Sequence, residues 1–214
     1  MIKFYGNRFS PPCNKVEMCL NLLGLEYEFI PVDLLSGAQR KPEFLEINFF
    51  GKAPAIIDGD FKLAESNAIM KYLSRKAKSD LYPEDIKQQA EVDMWLDFIS
   101  QHLIMQGYMK IMFNKMIAPR IGVEVDEKSI KEGYENLSKY FPLIEGKLTK
   151  TKFLVGDKIT IADVALLSTI DPSEMIQVDL KPYPKLLALR NSLTSQNFYQ
   201  KVHKFYGEAM LSRN

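Results

Sequence analysis

Strand-like runs in this chain stop near residue 77, and beyond that point apolar residues recur only at helical spacing. A sheet is therefore confined to the first part of the chain, and the rest has to be all-α. Before the break, Ile2-Lys3-Phe4-Tyr5 reads as a short buried strand, and Gly6 to Pro12 as a turn that two prolines keep out of a helix. From Cys13 onward, Val16, Cys19, Leu20 and Leu23 recur at three and four residues, so a helix runs to the stop at Gly24. Leu25 to Val32 gives a second strand, Leu34 to Lys41 a polar loop, and Pro42 to Asn48 a short helical turn. Ala55 to Ile57 and Phe61 to Ala64 flank Asp58-Gly59-Asp60, a strong hairpin signal. Helix-period Ile69, Met70 and Leu73 follow directly, which puts Ser66 where an N-cap residue belongs. This order predicts a small mixed sheet covered by helices.

Lys76 to Asp85 is polar and contains Pro83, so it reads as a linker. The expected division is residues 1–76 for the mixed domain, 77–85 for the linker and 86–214 for an all-helical domain. In the latter, helices are expected over Ala90 to Met116, Asp126 to Leu148 and Ile161 to Thr169, with short ones in Pro184 to Leu193 and Gln196 to Phe205. Ile159-Thr160-Ile161-Ala162-Asp163-Val164 is the sharpest local pattern: a capping box with Asp163 in place of the usual Glu, and a hydrophobic staple of Ile159 on Val164. Both signals concern folding, and Asp163 is read as structural.

Composition excludes more than it suggests. The net charge is +1 and the basic residues are dispersed, so nothing marks a nucleic-acid surface. No apolar stretch reaches the length of a membrane span, and the opening residues lead into a strand instead of a signal peptide, so the cytoplasm is expected. The two cysteines, Cys13 and Cys19, would stand about 120° apart on one helix. They are not expected to bond each other, which suits a reducing compartment.

The start of the helix at Ser66 points to chemistry. Its free backbone N–H groups and the serine hydroxyl make an anion site, and Glu65 offers a carboxylate to a neighbouring ammonium. A ligand carrying an α-carboxylate and an α-amine side by side fits both, although a helix cap alone accounts for the same residues.

Gly51-Lys52-Ala53-Pro54-Ala55 with Glu65-Ser66-Asn67-Ala68-Ile69, and Phe153-Leu154-Val155-Gly156-Asp157 through Asp163-Val164, together resemble the cytosolic glutathione S-transferases. Pro31-Val32-Asp33-Leu34 and Ser36 to Leu45 look most like the serine-containing plant phi and related bacterial classes. The resemblance implies a thioredoxin-like α/β N-terminal domain, an all-α C-terminal domain and a homodimer. It implies glutathione as co-substrate, no metal, and a small apolar electrophile as the second substrate. It further implies a cis Pro54 that lets the Ala53 backbone pair with the cysteinyl part of glutathione. Glu65 and Ser66 would hold the γ-glutamyl end, and Gln39, Arg40 or Lys52, with Lys41 nearby, the glycine carboxylate. A histidine is usual where Gln39 stands.

Ser10 matches the family's active-site serine, whose hydroxyl donates to the glutathione sulfur and favours thiolate. The resemblance places Pro11, Met109, Met112, Phe113 and Met116 around the electrophile; the methionine steps alone equally describe core packing. Phe49 and Phe50 either bury in their own domain or dock on a partner subunit. Two other functions stay open: a glutathione-dependent thiol or peroxide reductase using Cys13, since Ser10-Pro11-Pro12-Cys13 looks like a redox motif with its first cysteine replaced, and a non-catalytic interaction module on the same fold.

Overall fold

The computed structural model describes residues 1–208. Met1–Pro83 and the described residues from Thr194 onward form one compact unit, and Glu84–Leu193 forms another.

In the first unit, β1 (Ile2–Gly6), α1 (Pro11–Leu22) and β2 (Tyr27–Pro31) lead through a 3-10 turn at Ala38–Arg40 and α2 (Pro42–Leu45) into β3 (Ala55–Asp58), β4 (Phe61–Ala64) and α3 (Ser66–Lys76). The four strands lie in the order β2-β1-β3-β4, with β1 and β2 parallel and the other pairs antiparallel. This is the thioredoxin-like sheet. The hairpin turns at Asp58-Gly59-Asp60 as the sequence indicates, and Asp58 pairs with Phe61 across it. Helix α1 is buried along Cys13 to Leu20, charged residues included. It packs against α3 and against the short helix Asn197–Gln200, where Asn21 Nδ2 donates to the Phe198 carbonyl at 3.1 Å.

That last contact departs from the expected domain limits, which assign everything after residue 85 to the helical domain. The described residues from Thr194 pack with the first unit, and only a short helix forms in the expected Gln196 to Phe205 span. Contacts across nearly the whole length of the chain leave no periodic signal in either partner.

The second unit is helical. α4 (Ile86–Phe98) continues through π-helical Ile99–Tyr108, α5 (Met109–Met112) and π-helical Phe113–Ile117. It begins four residues before the expected Ala90, because Asp85 in the expected linker caps it, accepting from the N–H groups of Lys87 and Gln88. α6 (Glu127–Leu148) crosses this long helix closely: a Cβ on Gly107 would meet Leu137 Cδ2 at 2.4 Å, and one on Gly133 would meet Ile111 Cγ1 at 2.7 Å. α7 (Ile161–Ile170) is buried throughout and α8 (Pro184–Thr194) follows a 3-10 turn at Asp171–Ile176.

The capping box forms at the start of α7. Asp163 Oδ2 accepts from the Thr160 N–H at 2.8 Å and from the Thr160 hydroxyl at 2.9 Å. Its other oxygen accepts from the Leu154 N–H at 2.8 Å, a bond that ties the Phe153-to-Gly156 loop to the helix.

Candidate functional site

Strand register gathers the expected site residues at one end of the sheet. Tyr5 pairs with Ala55, and Ala55 with Ala64. β1 and β2 run parallel, so Gly6 and Pro31 end side by side. The segments after β1, after β2, before β3 and after β4 therefore leave the sheet together, carrying Ser10, Gln39 with Arg40, Ala53 with Pro54, and Glu65 with Ser66. Strands lie about 4.8 Å apart, so the Ser10 and Glu65 segments leave the sheet about 10 Å from each other, the reach of roughly three extended residues. A cavity of about 440 Å³ lined by Met1, Asn21, Gly24 to Tyr27 and Lys201 lies at the opposite end of β1, away from these segments.

The segment carrying Ser10 is held at every residue. The Asn7 amide donates to the Val32 carbonyl and accepts from the Phe9 N–H, both at 2.9 Å. Arg8 makes a bidentate pair with buried Glu17, at 2.7 and 3.1 Å, and lies over the Phe29 ring. The Tyr206 hydroxyl donates to the Phe9 carbonyl at 2.5 Å. Ser10 itself is half-buried at the N-cap of α1, yet its side chain makes no bond to the helix N–H groups. The first two helical residues are prolines with no N–H to cap, and the N–H of the third, Cys13, donates to the Ser10 carbonyl at 2.8 Å instead. Asn7, Arg8, Glu17 and Tyr206 escape a reading of the sequence alone; an arginine nine residues before a glutamate on an apolar helix face is the one available signal.

Cys13 is 1% exposed, and burial pushes its thiol up to about 11, opposed in part by the neighbouring Ser10 hydroxyl. Cys19 is buried as well and both thiols are free.

The bond between Ala53 and Pro54 is cis. Gly51, at φ +61°, turns the chain toward it, and the Asn48 amide holds the Lys52 carbonyl. The half-buried Ala53 N–H and C=O find no partner among the described residues. Ala53 leads into β3, an inner strand, and an open N–H and C=O where the chain enters the end of the sheet are what strand-like pairing with an extended peptide requires.

At the next segment the expected cap shifts by one residue. Glu65, not Ser66, is the N-cap of α3: its carbonyl accepts from the Ile69 N–H at 2.9 Å, and Ser66 is the first helical residue. Glu65 has φ +65°, a region sparsely occupied by non-glycine residues, and its exposed side chain makes no cap bond. The Ser66 hydroxyl and N–H have no partner among the described residues. Both groups that would grip a zwitterionic end are thus open. Lys15, for which no role is readable in the sequence, lies beneath them: it is 3% exposed and its Nζ donates to Asn67 Oδ1 at 2.6 Å. Burial lowers its pKa to about 8, opposed by the Glu65 charge.

Arg40 and Lys52 are exposed and make no ion pair among the described residues, as does Lys41. Gln39 donates only a long 3.5 Å bond to the Leu34 carbonyl, and its buried Oε1 has no partner. The loop they share is anchored by Phe44, packed with Val32 and Ala55. In the second unit Met109 is exposed while Met112, Phe113 and Met116 are half-buried, and Pro11 in the first is half-buried. Tyr108 is buried with its hydroxyl 2.6 Å from Ser173 Oγ. Phe49 and Phe50 lie with ring centroids 4.1 Å apart, tilted by 42°, and are 78% and 53% exposed, so burial within their own domain is excluded. Among the described residues no group of His, Cys, Asp and Glu is arranged to hold a metal ion, and no helix is long and apolar enough to cross a membrane.

Comparison with known proteins agrees with this geometry. Residues 1–75 match the glutathione S-transferase N-terminal domain and residues 101–197 the C-terminal domain. Glutathione S-transferase F10 of Arabidopsis thaliana is 40% identical over 149 residues, 67% of this chain and 68% of the relative. Glutathione S-transferase 1 of Zea mays is 33% identical over 207 residues, 94% of this chain and 95% of the relative. The solved structure of glutathione S-transferase I from mais, in complex with an atrazine glutathione conjugate, superposes with a TM-score of 0.88 at 31% identity, covering 97% of this chain and 99% of that one. With two domain models matched in order and plant glutathione S-transferases aligned over 67% and 94% of its length, the chain belongs to the glutathione S-transferase family of enzymes.

Proposed function

We propose that the protein conjugates glutathione to small apolar electrophiles, with the Ser10 hydroxyl donating to the glutathione sulfur. The observation that carries this reading is a hydroxyl at the mouth of α1 that makes no bond to the N–H groups of its own helix, on a segment braced at Asn7, Arg8 and Phe9. A free thiol has a pKa of about 8.5, and a charge-assisted hydrogen bond is worth roughly 1.5 to 3 kcal/mol, or one to two pKa units. Added to the positive end of α1, that populates thiolate at neutral pH. The thiolate then attacks the electrophilic carbon, displacing halide or adding across a double bond.

The rest of the tripeptide follows the end of the sheet where these segments leave it. The cysteinyl backbone pairs with the open Ala53 N–H and C=O beside Pro54. The γ-glutamyl ammonium meets Glu65, its carboxylate the Ser66 hydroxyl and N–H, and the glycine carboxylate meets Arg40, Lys52 or Gln39. Turning the Gln39 amide over gives up only its long bond to Leu34 and aims an N–H where an oxygen is now unpartnered. Pro11, Met109, Met112, Phe113 and Met116 are the residues proposed to face the electrophile, methionine suiting an adaptable apolar wall. The exposed Phe49–Phe50 pair supports assembly as a homodimer, since two adjacent aromatics in water are costly for a monomer. The proposed setting is the cytoplasm and the proposed role detoxification.

A reductase acting through Cys13 finds no support, because an attacking thiol has to be exposed and readily ionised. Replacing Ser10 tests the main reading. Ser10→Ala is expected to lower kcat/KM by roughly 10- to 100-fold with glutathione affinity and melting temperature nearly unchanged, and to move the rise of the pH–rate profile to higher pH. An unchanged rate and profile would remove the serine from the mechanism.

A further inference from the structure

The direction in which a side chain leaves a helix entrance is set by two backbone torsions, and at Ser10 they are φ −99° and ψ 111°. The helix fixes the second, because the Ser10 carbonyl accepts from the N–H groups of Cys13 and Asn14 at 2.8 and 3.0 Å. The first depends on the plane of the Phe9–Ser10 peptide, and that plane is held at both of its polar ends. Its N–H donates to the Asn7 carbonyl at 2.9 Å, within the same turn. Its C=O accepts from the Tyr206 hydroxyl at 2.5 Å, the short end of the range for O–H···O bonds. The second bond comes from 197 residues away, so turn formation alone does not produce it.

The phenol is built into the first unit. Tyr206 is 8% exposed, its ring meets His203 edge-on at 5.9 Å, and His203 meets Tyr199 in the same manner at 4.7 Å. Tyr199 is buried in the short helix Asn197–Gln200, which Asn21 ties to the last turn of α1 through the Phe198 carbonyl. A row of rings thus starts beside one end of α1 and delivers a hydroxyl at the other. Two residues on, the Glu208 carboxylate accepts from the Lys204 N–H at 2.8 Å. Glu17 raises the Arg8 pKa, and the Glu208 charge adds to that effect, so the same segment also acts on the residue before Phe9. A buried phenol needs an acceptor, and many carbonyls would serve. Here the acceptor belongs to the peptide that aims Ser10.

We propose that Tyr206 is a positioning residue for the transfer reaction: by holding the Phe9 carbonyl it fixes the Phe9–Ser10 peptide and the line along which the Ser10 hydroxyl meets the glutathione sulfur. The inference rests on the serine reading above and extends the site to a segment that touches neither thiol nor electrophile. Hydrogen bonds weaken steeply as they bend, so a swing of the freed peptide plane is enough to lose part of the thiolate stabilisation.

Tyr206→Phe keeps the row of rings and removes the donor. Bound glutathione is titrated through the ultraviolet absorbance of its thiolate in wild type, Tyr206→Phe, Ser10→Ala and the double variant, and conjugation to a chlorodinitrobenzene is followed in each. S-Methylglutathione has no thiol to titrate, so its affinity by calorimetry reports how the rest of the tripeptide binds. Tyr206→Phe is expected to raise the pKa of the bound thiol by about half to one unit and to lower the rate at saturating glutathione about three- to tenfold at pH 6.5. KM for glutathione and S-methylglutathione affinity are expected to stay within about twofold of wild type. In the Ser10→Ala background the same substitution should change neither rate nor thiol pKa, because no hydroxyl is left to aim. A wild-type rate and thiol pKa in Tyr206→Phe, beside a Ser10→Ala variant that has lost activity, overturns the role of Tyr206 and leaves the serine reading standing. An equal loss in both backgrounds, or a matching loss of S-methylglutathione affinity, overturns it as well, since either marks a role in folding or binding. If Ser10→Ala keeps the wild-type rate and thiol pKa, the serine reading itself fails, and this inference falls with it.

Discussion

The starts of α7 and α3 each hold an ionisable side chain out of water, and they treat it in opposite ways. Asp163 is fully buried, accepts three hydrogen bonds and places a negative charge on the positive end of its helix. Lys15 is 3% exposed, has one neutral partner and places a positive charge on the same kind of helix end. The first is complete without a ligand. The second has no counter-ion within ion-pair distance among the described residues, and the difference separates a buried charge that the fold satisfies from one that it leaves unbalanced.

Removing Asp163 should therefore be the most damaging change. Asp163→Ala leaves the Leu154 N–H, the Thr160 N–H and the Thr160 hydroxyl unpaired in a buried place, at a cost of about 3 to 5 kcal/mol. Chemical denaturation measures it directly. If Asp163→Ala and Lys15→Met shifted stability in the same direction, the contrast between the two helix ends would be false.

The residues that made this contrast legible in the sequence are all local. Thr160 and Asp163 are three apart, the hairpin is announced by Asp58-Gly59, and Pro54 stands three residues after Gly51 and opens an apolar run, so each pattern could be read within one segment. Lys15 could not. Helix α1 is covered on several sides, so its charged residues occur on buried faces that periodicity assigns to solvent. The cap of α3 slipped by one residue because a glutamate at φ +65° is rare, and cap statistics favour serine. The Tyr206 hydroxyl reaches Phe9 across 197 residues, a separation at which composition and spacing are silent.

Proton linkage gives the next largest effect. Lys15 has its pKa lowered from 10.5 to about 8 by burial, so between those values the unfolded chain binds more protons than the folded one. Stability then rises with pH across that window, as the penalty on the buried charge is relieved. Asp163 is raised from 3.8 to about 6, again mainly by burial, so from about pH 4 to 6 the folded chain binds more protons and stability falls as pH rises. Each contribution is at most on the order of 3 kcal/mol. The stability difference between wild type and Lys15→Met should shrink from pH 8 to 10.5. A difference constant over that range would mean that the lysine does not carry an unbalanced charge.

The two hydroxyls at these helix ends offer the smallest and cleanest comparison. Thr160→Ala deletes one bond to Asp163 and keeps the other two, so it should cost about 0.5 to 2 kcal/mol of stability. Because α7 carries no ligand group, S-methylglutathione affinity should stay as it is. Ser66→Ala deletes a hydroxyl that bonds nothing among the described residues, so stability should change by less than about 0.5 kcal/mol while affinity falls several-fold to about tenfold. The expected outcomes cross: stability without affinity at one helix, affinity without stability at the other. A Ser66→Ala protein that melted early and bound normally would make Ser66 a residue of helix stability and remove it from the γ-glutamyl site.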